Sequence, residues 1–229
     1  MLMTVLLLNP PVSLFYQQNE ERNEPLEVAI AIGLDPLFMF STVAWMPEGG
    51  DKLELVGSLY GEPVEMVQAE TVDLNVPAHA EIVFEGKILP HIREKDGPFG
   101  ESSGYYVPYE SPVIEIETVT HRENPFFQVL CPCSNEAFSL LVSREAEMLK
   151  KLRGKFPEVR HLNLVPETVG AHAVVSVKKA SRGMKRQMMT YFLADNASIK
   201  RVVVVDDDVD VYNQREVEWA LATRFQADM

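Results

Sequence analysis

The chain is short of positive charge. Its 21 Lys and Arg face 34 Asp and Glu, which leaves a net charge of -13 over 229 residues. Phosphate recognition needs clustered Lys and Arg, so a nucleic-acid surface is excluded, and an anionic membrane is an equally poor partner. The acidity itself points first to solubility and names no partner. Cysteine is nearly absent: Cys131 and Cys133 form a single Cys-Pro-Cys. One intervening residue is not the two-residue spacing of zinc or redox pairs. Two small, half-buried thiols in a reducing cytosol is the favoured reading, and a redox pair is the weaker one. No apolar run is long enough to cross a bilayer. Residues 1–8 (MLMTVLLL) are apolar but few, and they lack the basic residues that precede a signal-peptide core. They read as a buried strand, and a core-like strand at the initiator Met hints at a missing upstream segment. A phosphate-binding Gly-Lys loop, a dinucleotide glycine motif, a Gly-x-Ser-x-Gly elbow and a His-Glu-x-x-His pair are all missing, which disfavours the enzyme classes built on them.

What is present reads as globular, with 46% hydrophobic and 24% charged residues. Residues 17–25 (QQNEERNEP) are a surface connection or a helix end. Residues 26–34 (LEVAIAIGL) form a strand closed by Asp35-Pro36. Residues 37–45 fit a short buried helix, and 46–50 a loop. Further strands are expected within 64–72, 81–84, 112–120 and 126–130. Short strands punctuated by Pro and Gly point to a barrel or sandwich. After Cys133 the pattern changes. Ser134 or Asn135 can cap a helix with Phe138, Leu141, Val142, Met148 and Leu149 at helical spacing, ended by Gly154. Residues 162–166 are extended, 173–177 a strand, 182–193 a Met-rich helix, and 201–205 a β-branched strand buried on both faces. Asn213 and Glu216 have capping-box spacing and open a last helix through Thr223. The class is α+β, with one domain over 1–130 and a smaller α/β domain over 131–229.

Asp96 and Glu101 flank a Gly97-Pro98-Phe99-Gly100 turn. Proton chemistry needs a carboxyl group held still, and a neighbouring carboxylate raises the pKa of the first. A solvated loop is the ordinary alternative. Asp206, Asp207, Asp208 and Asp210 look like a metal cluster, but adjacent strand residues face opposite ways, so bonds to turn amides are the better reading.

Four stretches carry a family resemblance: 75–86 (NVPAHAEIVFEG), 97–106 (GPFGESSGYY), 118–125 (TVTHRENP) and 203–223 (VVVDDDVDVYNQREVEWALAT). Weaker support comes from 28–36 (VAIAIGLDP) and 57–67 (GSLYGEPVEMV). Together they resemble the UbiD family of (de)carboxylases. The resemblance implies a flavin-binding split β-barrel, incomplete at its N-terminal side, followed by a smaller α/β oligomerisation domain. It implies prenylated FMN with Mn²⁺ or Mg²⁺, and carboxy-lyase chemistry on small aromatic or α,β-unsaturated carboxylic acids. It makes Glu101 the proton donor and Asp96 its network partner through an arginine, and it sets Met46-Pro47 against the flavin. Lys52 stands where the family has a metal-binding Glu, and the family's Asn, Arg and His have no match here. The expectation is therefore a cytoplasmic homo-oligomer, or a subunit needing a UbiD-like partner, with little activity alone. A catalytically inactive paralogue serving as a binding or structural subunit is the alternative, and a simple flavin oxidoreductase a weaker third.

Overall fold

Alternation of side chains across strands decides how the first half of the chain folds. The computed structural model describes residues 2–3, 12–44, 46, 50–100, 104–129, 141–195 and 198–226. The first elements are β1 (Leu2–Met3), α1 (Val12–Glu21), β2 (Leu26–Ile32), α2 (Pro36–Val43), α3 (Lys52–Tyr60), β3 (Met66–Gln68), β4 (Asn75–Pro77), β5 (Ile82–Gly100) and β6 (Tyr106–His121). Two compact units result, Met1–Ser41 with Gly50–Val129, and Thr42–Gly49 with Leu130–Met229.

In the first unit, β5 and β6 form a long antiparallel hairpin at the centre of a sheet ordered β1-β6-β5-β2. On one face Val28 and Ile30 of β2 join Ile88, Ile114 and Ile116 beneath Tyr16 of α1. On the other face Ala29 and Ala31 join Val72, Val76 and Val83, covered by the small β3–β4 pair. Burying each such Val or Ile contributes roughly 1.5–3 kcal/mol. Gly86 lets the hairpin strands close on each other. A Cβ there would lie 2.0 Å from the Glu115 carbonyl oxygen, and the register shifts between Glu85 and Gly86.

The second unit adds α4 (Leu141–Lys155), β7 (Val159–Leu164), β8 (His172–Val177), α5 (Arg182–Asp195), β9 (Arg201–Asp206) and α6 (Gln214–Arg224). Its sheet is ordered β7-β8-β9, with β8 and β9 parallel. Parallel neighbours need a crossover, which α5 provides. One face packs Leu152 of α4 and Met188 and Phe192 of α5 on Leu162, Val175 and Val177. The opposite face packs Val217 and Ala220 of α6 on Val174, Val203 and Val205. The β-branched run of β9 thus has apolar cover on both faces, although it is an edge strand. Asn213 caps α6 by accepting from the Arg215 amide at 3.2 Å. Glu216 reaches the Asp210 amide at 3.1 Å rather than the cap's own.

Several expectations change. The mixed α+β class holds, but the first unit is an open sheet, and no closed barrel forms among the described residues. The Gly97–Gly100 stretch lies inside β5 and does not turn the chain. Residues 126–129 are irregular where a strand was expected, and α4 runs past Gly154 to Lys155. Helix α3 was not anticipated, although Asp51 caps its start and Gly61, at φ 79°, ends it. Only Leu2–Met3 of the expected first strand falls within the described residues, paired with Ile114 and Val113.

Candidate functional site

Asp96 sits in the distal arm of the hairpin, opposite Tyr109. The next pairing, Phe99 with Val107, leaves two residues of β5 facing one of β6. This bulge holds Gly97 at φ 89°, a conformation open to glycine and strained for other residues. Phe99 then turns toward Tyr109, with ring centroids 6.5 Å apart. Asp96 is only 8% exposed. Its neighbours in sequence do not supply a cation. Lys95 is exposed and projects from the opposite face. Arg93 is engaged by Glu20 at 2.8 Å, donates to the Tyr16 hydroxyl, and stacks over the Tyr16 ring at 4.9 Å. Among the described residues no hydrogen bond or ion pair reaches the Asp96 carboxylate.

Of the other expected site residues, Glu101 and Pro47 lie outside the described residues. Met46 is half-buried and belongs to the second unit, whereas Asp96 belongs to the first. Lys52 is the first residue of α3. Asp51, a conceivable substitute ligand, is spent on the cap, accepting from the Leu53 amide at 2.8 Å. Glu54 is exposed in the helix's first turn. A hard divalent ion needs several convergent oxygen donors. Among the described residues no group of three His, Cys, Asp or Glu side chains could hold one. Among the described residues the donors do not fit the family's metal.

Three of the aspartates at and just after the end of β9 are taken up by local contacts. Asp206 pairs with Lys185 at 2.6 Å, and Asp208 takes a two-pronged pair from Arg224 with both contacts at 2.7 Å. Asp210 accepts from the Tyr212 amide at 3.0 Å. His121 and Arg122 close the base of the hairpin, where the Arg122 amide donates to the Glu81 carbonyl at 3.0 Å. A cleft of about 440 Å³, lined by Leu34, Asp35, Phe38, Tyr60, Pro63 and His79, lies elsewhere in the first unit and does not include Asp96.

Sequence reasoning passed over two polar centres. Glu85 is 1% exposed and accepts from the Glu70 and Thr71 amides at 3.1 and 2.7 Å and from the Thr71 hydroxyl at 2.8 Å. Burial works to raise its pKa, but these donors and the Val72 amide hold it below the ordinary value. A signal existed, because Glu85 follows Val83 on the inward face of an alternating strand. The second centre is Tyr16, Glu20 and Arg93, which ties α1 to β5. Tyr16 donates to Glu20 at 2.7 Å, and the Glu20 carboxylate accepts from the His91 amide at 2.8 Å. Burial, with help from Glu20 and against Arg93, pushes the Tyr16 phenol up to about 12. No sequence pattern marked this long-range cluster.

Comparison with known proteins now places the chain. Residues 2–135 match the 3-octaprenyl-4-hydroxybenzoate carboxy-lyase Rift-related domain, and residues 139–229 match the C-terminal domain of the same family. Anhydromevalonate phosphate decarboxylase of Methanothermobacter thermautotrophicus is 36% identical over 220 residues, which cover 93% of this chain and 51% of that protein. Phenolic acid decarboxylase of Bacillus subtilis is 33% identical over 221 residues, covering 93% and 46%. An evolved dimeric form of the UbiD-class enzyme HmfF from Pelotomaculum thermopropionicum, solved in complex with prFMN, superimposes with a TM-score of 0.87 at 40% identity, covering 94% of this chain and 51% of that one. The chain spans about half the length of the curated relatives it matches. Matched end to end by both domains, the chain belongs to the UbiD family of 3-octaprenyl-4-hydroxybenzoate carboxy-lyases.

Proposed function

We propose that this chain is the acid-bearing part of a UbiD-like non-oxidative (de)carboxylase. It acts in the cytoplasm on small aromatic or α,β-unsaturated carboxylic acids with prenylated FMN, and a further segment or partner subunit is needed for turnover. The observation that carries this reading is Asp96, nearly buried at 8% exposure, without a cation among the described residues. Proton chemistry needs a carboxyl group held still and screened from bulk water, and the β-ladder beside the bulge holds this one. Glu101 donates the proton to the carbon that loses CO2, and Asp96 holds the network through an arginine brought by the other polypeptide. Met46 and Pro47 line the flavin. When bound, the prenylated flavin supplies an electron sink for the charge left as CO2 departs. The open sheet of the first unit is one wall of a split β-barrel, and the second unit serves oligomerisation.

The position of Lys52 favours one other reading, an inactive paralogue that acts as a binding or structural subunit. Exchange of ¹³C-bicarbonate into 4-hydroxybenzoate and cinnamate, with prenylated FMN supplied, separates the two. Exchange only when the missing half of a relative is co-expressed supports the enzyme. Exchange by the isolated chain removes the need for a partner. If exchange is absent throughout while the chain still binds a UbiD-like subunit, the paralogue stands.

A further inference from the structure

The cleft of about 440 Å³ in the first unit opens between the start of α2, the end of α3 and the β3–β4 pair. Its volume lies within the range of small-molecule sites, and Asp96 is not part of it. The local sequence gives it two kinds of wall. Strand β2 runs out into Leu34-Asp35, and α3 ends in Tyr60-Gly61, where Gly61 at φ 79° turns the chain into Glu62-Pro63-Val64. The half-buried part of the lining is apolar, with Leu34, Phe38 and Pro77. The exposed part is polar and acidic. Asp35, Glu62 and Glu65 contribute three carboxylates, and among the described residues no Lys or Arg lines the cleft. His79 is paired with Glu65 at 3.1 Å, so even a charged imidazole leaves the lining negative. Asp35 is held in place. It accepts from the Leu37 amide at 2.9 Å as α2 begins, and from the Tyr60 hydroxyl. The bond to Asp35, more than burial, pushes the Tyr60 phenol up to about 12. Tyr60 therefore keeps its proton and adds no charge. The Glu62 carboxylate has no hydrogen bond or ion pair among the described residues.

This lining repels anions, and a neutral ligand leaves its carboxylates unmatched. A protonated amine on an aryl body matches both walls. We propose that the cleft binds a small organic cation, a protonated arylalkylamine, with its ring against Phe38 and Tyr60 and its ammonium held by Asp35 and Glu62. The aromatic walls take the ring by offset or edge contact. Exposed carboxylates attract a cation only weakly, which sets the affinity near the millimolar level. The site goes beyond the functional reading above and does not rest on it.

The test titrates the ¹⁵N-labelled chain with 2-phenylethylamine, 2-phenylethanol and phenylacetate, which share a ring and differ in charge. The amine should saturate with a Kd of about 1 mM and shift the amides of Leu34, Phe38 and Val64. The alcohol should bind at least ~5-fold more weakly, and phenylacetate should not bind. Asp35→Asn keeps a capping residue and Glu62→Gln lies on an exposed turn. Each should weaken the amine ~3–5-fold and leave the alcohol unchanged. The comparison of the three ligands on the wild-type chain stands even if a variant folds poorly. A chain of charge -13 gathers amines loosely over its surface, so location is the decisive readout. Unsaturated shifts scattered over acidic surface overturn the site. Equal binding of amine and alcohol overturns the preference for a cation, and no binding of any of the three up to ~10 mM overturns the cleft as a ligand site. All of these outcomes leave the decarboxylase reading where the bicarbonate exchange assay puts it.

Discussion

Asp96 and Tyr109 face each other across the hairpin at its last regular pairing before the Gly97–Pro98 bulge. The bulge fixes where the acid-bearing strand goes next, and the ladder fixes Asp96. On the proposed reading, Asp96 is kept there for activity and not for stability. Asp96→Asn should therefore lower kcat of the reconstituted enzyme by about 100-fold or more, while the thermal midpoint of the isolated chain does not fall. Calorimetry of the chain and turnover of the complex check the two halves. A lower midpoint would recast Asp96 as a structural residue.

Glu85 behaves in the opposite way. Its donors sit on the loop after β3, so Glu85→Gln turns an amide NH2 toward backbone N–H groups and should cost roughly 2–3 kcal/mol at pH 7. The pH dependence has a definite sign. The folded pKa is depressed, so the unfolded chain binds the proton first. The stabilisation is fully present above the unfolded value of roughly 4.3 and is lost as pH falls through the lower folded value. Urea titrations from pH 7 to pH 3 should show the wild-type and Glu85→Gln curves converging at the acid end.

Two glycines should respond oppositely to alanine. At Gly86 the new methyl meets the backbone of Glu115 and Ile116 at 2.0–3.0 Å, and the strands must part. A loss of at least ~3 kcal/mol is expected by urea unfolding. At Gly154, within α4, nothing lies within 4 Å of the added carbon, and Gly154→Ala should gain roughly 0.5–1 kcal/mol. A mild effect at Gly86 would mean that the strand contact is looser than drawn.

Local signals and non-local ones fared differently. The strands at β2, β8 and β9 and the cap at Asn213 were legible because periodicity and capping act over a few residues. The length of β5 was not. Pro90, Gly97 and Pro98 punctuate it, and cross-strand pairing with β6 overrides them. Helix α3 hid behind Gly57 and the short spacing from Asp51 to Gly61. Asp96 was singled out as one of two acids flanking the Gly-Pro-Phe-Gly stretch, but its near-burial depends on chain packed around it, and the Tyr16–Glu20–Arg93 cluster spans too much sequence for any spacing rule.

That cluster should be cooperative. The single O–H of Tyr16 points to the Glu20 carboxylate at 2.7 Å, with the Leu89 carbonyl also in reach at 3.1 Å, and Arg93 binds both side chains. Removing one partner leaves the others with little to gain, so Tyr16→Phe and Arg93→Ala should not add. A double-mutant cycle by chemical denaturation should give a coupling of about 1 kcal/mol. The phenol offers a spectroscopic check. With its pKa pushed up to about 12, Tyr16 belongs to the last of the tyrosinate absorbance to appear on alkaline titration, and Tyr16→Phe should remove amplitude from that limb alone. Loss of amplitude near pH 10 instead, with additive energies, would show that the three side chains do not act as a unit.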